Sequence, residues 1–409
     1  MSERMESVRS VALGCLVGAG SALEPAGQAG ISHLLEHMLF RGTERHRSEE
    51  IDQIFDAMGS ELDAETDRES TSLATRVLDR HLPAALDVVG EMLWRPAMES
   101  LDAEKEVVLE EIAAYEDDPQ ALIFDVLGET IFGSHPLGRP VIGSAKTVSA
   151  IDERDLRAYH AERYVPGNVV IAAAGSVDHD ELVQMVQALA PSPAPDAAAR
   201  PQMSKPARGE REVRFVAKPT EQYHLCLGGP GIARSDERRY ALRVLDGILG
   251  GGPSSRLFQQ VRERRGLAYS VFSFSSLSAT AGEIGVYVGT RPENLAETVQ
   301  TIADELARTL EDPADQGELD RARENVKGRM VLALESTGAR MARLAACELY
   351  GLPLLSIDET IERVDAIDVE QLRELAVELL DPTKLSVAAI GPDEAIFERA
   401  LAPLQAVAA

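Results

Sequence analysis

The chain has 409 residues, of which 44% are hydrophobic, and its 68 acidic and 41 basic side chains give a formal charge of −27. This negative balance argues against nucleic-acid binding, because phosphate contacts need basic side chains, and no run of 18 apolar residues predicts a membrane span. The three cysteines, Cys15, Cys226 and Cys347, are widely spaced, which argues against disulfides and a thiolate metal site and is typical of a cytoplasmic protein.

The first predicted element is a strand from Val8 to Val17, in which hydrophobic residues dominate. The N-terminal residues, M-S-E-R-M-E-S-V-R-S, have no apolar stretch between their charges and this strand. We therefore expect no secretory signal in the sequence.

The next element is a helix that carries the sequence H-L-L-E-H at residues 33–37. Apolar residues repeat around this motif at helical spacing, which predicts a buried helix that presents its polar groups to a site. Two imidazoles four positions apart project from one helix face, so His33 and His37 can bind one Zn²⁺ while Glu36 faces the water to be activated. The motif predicts metal-assisted hydrolysis, and the alternative is a core helix with two hydrogen-bonded histidines.

A third metal ligand is expected from an acidic helix in residues 103–119. Glu104 and Glu111 lie seven positions apart, or two helical turns, so one can bind the metal while the other supports it. Glu106 and Glu110 are rivals on spacing alone, and an acidic helix is often only a solvated face. The residues by themselves therefore leave the third ligand open.

An internal repeat relates the two halves of the chain. The following residues recur 216 positions later, from Val364 to Gly391, without a gap: Val148, Ala150, Ile151, Asp152, Leu156, Arg157, Pro166, Ala172, Ala173 and Gly175. A shared helix, turn and strand at a fixed offset predicts that two halves of about 200 residues have the same fold.

The predicted site is not repeated. The position that corresponds to His33 lies near Leu249, where a matching helix has neither histidines nor a glutamate to offer a metal. We therefore predict a zinc-binding catalytic domain at 1–190, a Pro- and Ala-rich linker at 191–212 and a homologous, substrate-binding domain at 213–409.

Strands alternate with longer amphipathic helices in both halves, which predicts the α+β class. The predicted strands are Val8–Val17, Ser72–Val77, Val169–Ala174, His224–Leu227 and Leu385–Ile390. The glycine-rich turn at Gly250–Pro253 lacks both the P-loop ending and the Rossmann spacing, so we expect no nucleotide there.

The motif helix, the acidic helix and two later segments resemble the pitrilysin and mitochondrial-processing-peptidase family of zinc peptidases, in its short bacterial two-domain form. The segments are G-I-S-H-L-L-E-H-M-L-F-R-G-T, E-K-E-V-V-L-E-E-I, S-H-P-L-G-R-P-V-I-G and G-G-G-P-S-S-R-L-F-Q-Q-V-R-E-R-R-G-L-A-Y. The resemblance covers nearly the whole chain. It implies two similar halves, each a mainly antiparallel sheet packed with helices, as in duplicated LuxS/metallohydrolase-like domains.

The resemblance also implies roles for residues of the first half. His33, His37 and Glu111 match the ligands of one zinc ion per chain. Glu36 matches the general base, and Glu104 matches an acidic residue that supports the site.

In the second half, Arg262 and Tyr269 match an Arg–Tyr pair that helps relatives bind substrate and stabilise the transition state. The peptide carbonyl oxygen becomes negative when it is attacked, and a hydroxyl or guanidinium donor stabilises that charge by a few kcal/mol. The residues alone do not single out either position, because Arg262 lies in a charged run and Tyr269 is equally suited to a core.

The implied function is that of a zinc endopeptidase that takes short or unfolded peptides as an extra strand on a sheet edge. Single chains of this length form a homodimer in the family, or a heterodimer with a paralogous subunit, and we expect the same here. The alternatives are a processing peptidase of narrow specificity and a non-catalytic assembly or binding subunit. The intact H-L-L-E-H disfavours the last alternative, because such subunits usually lose ligands.

Three features depart from the family pattern. Asp63 and Ala64 stand where relatives commonly have an Asn-Ala pair on the substrate-side edge strand, and a carboxylate cannot donate the hydrogen bond of a carboxamide. Leu34 replaces a frequent Phe beside the first ligand, which is expected to change the pocket next to the cleaved bond. The strand that usually precedes the first one is also expected to be absent.

Overall fold

The computed structural model describes residues 1–192, 203–207 and 209–406, and in these residues two five-stranded sheets are each packed with helices. The fold is α+β with two similar halves, so the predicted class is confirmed. The predicted linker at 191–212 falls largely on residues outside those described.

The first sheet has the strand order β1-β5-β2-β4-β3, and only the β1–β5 pair is parallel. Its strands are β1 Ser2–Arg4, β2 Ser10–Val17, β3 Leu62–Thr66, β4 Thr71–Leu78 and β5 Val169–Gly175. β3 is an edge strand, and its open side can accept a further strand.

The second sheet has the equivalent order β6-β10-β7-β9-β8, again with one parallel pair, β6 and β10. Its strands are β6 Val213–Ala217, β7 Tyr223–Gly231, β8 Ala268–Leu277, β9 Gly282–Thr290 and β10 Ser386–Gly391. The same order and the same parallel edge pair in both sheets are the structural counterpart of the sequence repeat.

Sixteen α-helices are found in the described residues, and none of them is both long and apolar enough to cross a membrane. They are α1 Ile31–Leu39, α2 Ser48–Met58, α3 Leu82–Trp94, α4 Leu101–Glu116, α5 Pro119–Phe132, α6 Ala145–Ala150, α7 Glu153–Arg163, α8 His179–Leu189, α9 Arg239–Leu249, α10 Leu295–Glu311, α11 Gln316–Ala333, α12 Thr337–Tyr350, α13 Ile357–Asp365, α14 Val369–Leu379, α15 Glu394–Ala400 and α16 Ala402–Ala406. A π-helix occupies Phe258–Glu263.

The repeated segments fold in the same way. Helix α7 precedes β5 and helix α14 precedes β10. Asp152 and Asp368 begin the two helices, and each carboxylate accepts the backbone N–H three residues later. The same cap at the same place in both halves explains why this segment repeats most clearly in the sequence.

Two compact units divide the described residues, and neither unit is continuous in sequence. Unit 1 comprises Met1–Ala113, Arg139–Met203 and Leu332–Leu354, and unit 2 comprises Ala114–Gly138, Ser204–Val331 and Leu355–Ala409, each as far as described. Helix α5 of the first half packs on β7 and β10, and α12 of the second half packs on β2 and β5. The units therefore differ from the continuous domains predicted at 1–190 and 213–409, because helical periodicity does not reveal which sheet a helix covers.

The expectation that no strand precedes β2 was wrong. Ser2–Arg4 forms β1, which pairs in parallel with β5, and Ser2 lies opposite Ala173. The segment has only three residues and two of them are charged, so it lacks the alternation by which strands are recognised.

The core of unit 1 fixes the motif helix α1. Its apolar residues are fully buried in the main cluster: Ile31, Leu34, Leu35, Met38 and Leu39. Burying one such side chain stabilises the fold by about 1.5–3 kcal/mol, so the helix is firmly anchored. On the other face of the sheet, Ala345 and Met341 of α12 pack with Ala12 and Ala172.

Candidate metal centre

Helix α1 begins after Gly30, which is its N-cap residue. Gly30 has φ +92°, in the left-handed region, and a Cβ there would lie 2.7 Å from the Ile142 carbonyl oxygen. The buried Glu24 carboxylate accepts hydrogen bonds from the N–H groups of Gly30 and Ser32, each at 2.8 Å. These contacts set the start of the helix and therefore the direction in which the motif residues project.

The two motif histidines lie side by side on α1, with ring centroids 4.6 Å apart. His33 is 12% exposed and His37 is 21% exposed, so both rings lie at the surface of the core. Burial, together with the neighbouring His37, lowers the pKa of His33 to about 4. His33 is therefore neutral near pH 7, which is the protonation state that a metal ligand requires.

Glu111 of α4 lies close to both imidazoles. One carboxylate oxygen lies 3.6 Å from His33 Nε2 and the other lies 3.5 Å from His37 Nε2. These distances exceed those of N–H···O hydrogen bonds. They suit atoms that surround one ion, since ligands about 2.0–2.2 Å from a tetrahedral Zn²⁺ lie about 3.4 Å from each other.

The donor set fits a zinc ion. Within the described part of the chain, one group of three His, Cys, Asp or Glu residues has metal-ligating atoms that all lie within 4.8 Å of one another, and it consists of His33, His37 and Glu111. Two imidazoles and one carboxylate are common zinc ligands, and three protein ligands leave a fourth position open. Glu111 is 46% exposed, so water can reach that side.

The rivals for the third ligand, Glu106 and Glu110, are exposed and are not part of this group. Glu104, by contrast, is buried on the same side of α4 as Val108 and Ile112. The choice among these glutamates depends on how α4 packs, which spacing alone did not reveal.

Glu104 supports His37 rather than contributing to the ligand group. His37 Nδ1 donates a hydrogen bond of 2.9 Å to Glu104, which also forms an ion pair with Arg41. A carboxylate at pH 7 only accepts, so the hydrogen is on Nδ1 and the Nε2 lone pair faces the candidate site. Glu104 is only 3% exposed, and the two partners compensate its buried charge.

His33 lacks an equivalent support. Its Nδ1 is buried, and no hydrogen-bond partner for it is found among the described residues. The two imidazoles are therefore held differently: His37 by a carboxylate and His33 by the packing of α1.

Glu36 lies on the same helix face and accepts a hydrogen bond from the Thr66 hydroxyl at the end of β3. Burial raises the pKa of Glu36, and the Thr66 hydrogen bond and nearby His37 oppose this shift. The carboxylate is thus partly desolvated beside the candidate ligands, as expected of a group that exchanges protons.

Arg262 and Tyr269 lie together in unit 2. The Arg262 guanidinium lies over the rings of Phe258 and Tyr269, 4.7 and 4.2 Å from their centroids, and donates to the Tyr269 carbonyl at 3.0 Å. Tyr269 is 77% exposed, so a core role for it is excluded. Arg262 lies in the π-helix, a conformation that is frequent at functional sites.

Three contacting residues were missed by the sequence analysis: Arg41, Thr66 and Phe258. The resemblance places Asp63 and Ala64 on an edge strand, and alternation along L-D-A-E-T then puts Leu62, Ala64 and Thr66 on one face of it. No sequence signal indicates the contacts of Arg41 or Phe258, because both depend on how helical segments pack.

The two departures on the substrate side occupy different environments. Asp63 is exposed on β3 and, with Asp56, Glu61 and Arg76, lines a cavity of about 590 Å³. Leu34 is fully buried in the core of unit 1, so it does not line an open pocket, contrary to our expectation.

Two stretches of the chain match peptidase families. Residues 1–145 match the family described as Insulinase (Peptidase family M16). Residues 150–326 match the family described as Peptidase M16 inactive domain. The first match contains every candidate ligand, and the second contains Arg262 and Tyr269.

Individual proteins are similar along almost the full chain. An "uncharacterized zinc protease" of Streptomyces coelicolor is 40% identical over 402 residues, which cover 96% of this chain and 87% of that protein. Another protein so described, from Bacillus subtilis, is 38% identical and covers 92% of both chains. The crystal structure of a peptidase M16 inactive domain from Pseudomonas fluorescens has a TM-score of 0.88 at 26% identity, covering 96% of this chain and 95% of that one.

Proposed function

Because the chain belongs to the insulinase family of peptidases, M16, we propose that it is a zinc-dependent endopeptidase that hydrolyses short peptides or unfolded segments. The observation that carries the proposal is the convergence of His33, His37 and Glu111 beside the partly buried Glu36. The motif helix supplies His33, Glu36 and His37, and a helix distant in sequence supplies Glu111. Two histidines with a purely structural role would not require a carboxylate from a second helix beside them.

His33, His37 and Glu111 would hold one zinc ion per chain. When bound, zinc polarises a water molecule and the carbonyl group of the peptide. The hydrogen bond from His37 to Glu104 keeps one imidazole in the required tautomer, and the neutral state of His33 keeps the other available.

Glu36 would act as the general base. Its carboxylate accepts a proton from the attacking water and then delivers this proton to the leaving amine of the peptide. Burial raises the pKa of Glu36 and so brings this pKa closer to the pH at which the enzyme works. A pKa near the working pH favours both the uptake and the release of the proton.

The substrate would bind as an extra strand on the open edge of β3. Backbone hydrogen bonds to a sheet edge hold a peptide whatever its side chains, so broad specificity is the expected consequence. The contact between Thr66 and Glu36 supports this proposal, because it joins that edge to the proposed base.

Arg262 and Tyr269 would assist from the second half. An Arg guanidinium or a Tyr hydroxyl stabilises the oxygen that becomes negative during attack. The stacked arrangement in unit 2 supports a binding role, since it holds the guanidinium in place beside an exposed phenol. We also propose that the chain forms a dimer with a second copy or a paralogue, and its mass in solution tests this.

Digestion of a peptide library tests the function. Zinc-loaded wild type should cleave internal peptide bonds, and a chelator or Glu36→Gln should abolish cleavage while Glu36→Gln retains the metal. Equal cleavage by wild type and Glu36→Gln would exclude Glu36 as the base. No cleavage by zinc-loaded wild type would contradict the peptidase proposal.

A further inference from the structure

We infer that Thr66 is a positioning residue that holds Glu36 in place for proton transfer. This inference deepens the proposed function and rests on it. Thr66 lies on β3, thirty positions from Glu36 in sequence, and neither the motif nor its spacing assigns it a role.

The hydroxyl hydrogen of Thr66 is directed to Glu36. A carboxylate cannot donate at neutral pH, so Thr66 Oγ1 is the donor to Glu36 Oε2. Thr71 Oγ1 lies 3.2 Å from Thr66 Oγ1, but its own hydrogen goes to the Ala19 carbonyl at 2.9 Å. Thr71 Oγ1 can therefore only accept from Thr66, and the closer, charged Glu36 carboxylate is the stronger acceptor of the Thr66 hydrogen.

Thr66 is itself rigidly held. It pairs with Thr71 in the β3–β4 ladder, and Thr71 is fully buried. A β-branched side chain on a strand has few accessible χ1 rotamers. The hydroxyl thus provides a fixed point for the longer glutamate side chain, which would otherwise sample several rotamers.

Glu36 needs such a fixed point because a glutamate side chain has several rotatable bonds, and the Thr66 hydroxyl is the hydrogen-bond donor that the structure gives it. A general base must keep within hydrogen-bond reach of the proton that it abstracts. Without the Thr66 hydroxyl, the Glu36 carboxylate would sample rotamers in which it lies outside that reach.

Steady-state kinetics of Thr66→Val and Thr66→Ser test the inference. Valine keeps the branched shape but removes the hydroxyl, so kcat should fall by about tenfold or more, since general-base catalysis contributes about 10²–10⁴. KM and the zinc bound per chain should stay within about twofold of wild type. Serine restores the hydroxyl and should recover most of kcat.

Two controls separate positioning from folding. Thr75→Val removes a buried hydroxyl on the neighbouring strand, which donates to the Glu61 carbonyl at 2.7 Å, and should leave kcat unchanged. In a Glu36→Gln background, in which cleavage is already abolished, Thr66→Val should leave the zinc bound per chain unchanged, because the hydroxyl acts on residue 36 and not on the ligands.

An unchanged kcat in Thr66→Val would overturn the inference while leaving the peptidase proposal intact. Loss of zinc, a raised KM at constant kcat, or failure of serine to rescue would overturn it as well, because each outcome indicates a general structural effect. If zinc-loaded wild type cleaves no peptide, the proposed function fails and the inference fails with it.

Discussion

Glu104 lies between His37 and Arg41, and its charge would strengthen the binding of the proposed zinc ion by His37. A carboxylate acceptor raises the basicity of the imidazole and fixes its orientation. Glu104→Gln should therefore weaken zinc binding by about 10–100-fold, the usual effect of losing such a partner. Competition with a chromophoric chelator measures the affinity.

Glu106→Gln is the matched control, because Glu106 is exposed on the same helix and undergoes the same change of charge. It should bind zinc as wild type does. Equal affinity for zinc in Glu104→Gln and Glu106→Gln would mean that the hydrogen bond to His37 does not affect the site.

Residues of the candidate site differ in how far the sequence could predict them. His33, Glu36 and His37 lie within five positions on one helix, and helical geometry alone places them on one face. Glu111 could be chosen over its rivals only through resemblance, because its place depends on the packing of α4. Thr66 could not be predicted, since its role depends on a strand register that links distant positions.

At the scale of single elements, the buried Glu24 cap of α1 makes stability depend on pH. Burial raises the pKa of Glu24 from an ordinary 4.5 to about 7, although the Ser32 and Gly30 N–H groups favour the charged form. Between these pH values the folded protein retains a proton that the unfolded chain loses, so this contribution to stability falls as pH rises.

Glu24→Gln replaces the titratable carboxyl group with an amide. Comparing wild type with this variant therefore isolates the contribution of Glu24 protonation to the free energy of unfolding. The free energy of unfolding of wild type minus that of Glu24→Gln should fall by up to about 3 kcal/mol between pH 4.5 and 7 and then level off. Urea unfolding at several pH values measures it. A difference that stays constant or grows with pH would show that the folded protein does not favour protonated Glu24.

Helix α12 belongs to the second half of the sequence but packs on the sheet of unit 1, and substitutions in this helix test that packing. Ala345 is fully buried against the sheet of unit 1, whereas Ala342 is exposed on the same helix. Ala345→Leu should lower the free energy of unfolding by about 1–3 kcal/mol through overpacking, and Ala342→Leu should change it by less than about 0.5 kcal/mol. Equal effects of both substitutions in thermal unfolding would contradict the described packing of α12.

At the scale of the whole molecule, the duplicated architecture was predictable but its exchanged helices were not. The repeat at fixed offset covers α7 with β5 and α14 with β10, whose caps and buried strands recur in sequence. The exchange of α5 and α12 between units leaves no such trace, because an amphipathic helix presents the same pattern to either sheet.

The two units also differ in their potential metal ligands. The ligand helices α1 and α4 bring His33, His37 and Glu111 together in unit 1, while α9, the helix at the corresponding place, has no histidine or glutamate. One ion per chain is therefore the expected stoichiometry, and the role that we propose for the second unit is substrate binding.

The zinc bound per folded chain tests this account most directly, measured by elemental analysis of wild type, Glu111→Ala and Glu110→Ala after equilibration with zinc and removal of free metal. We expect about one ion in wild type and in Glu110→Ala, whose exposed carboxylate lies outside the ligand group, and a large loss in Glu111→Ala. Wild type without bound zinc, or Glu111→Ala that retains a full ion, would contradict the proposed metal centre.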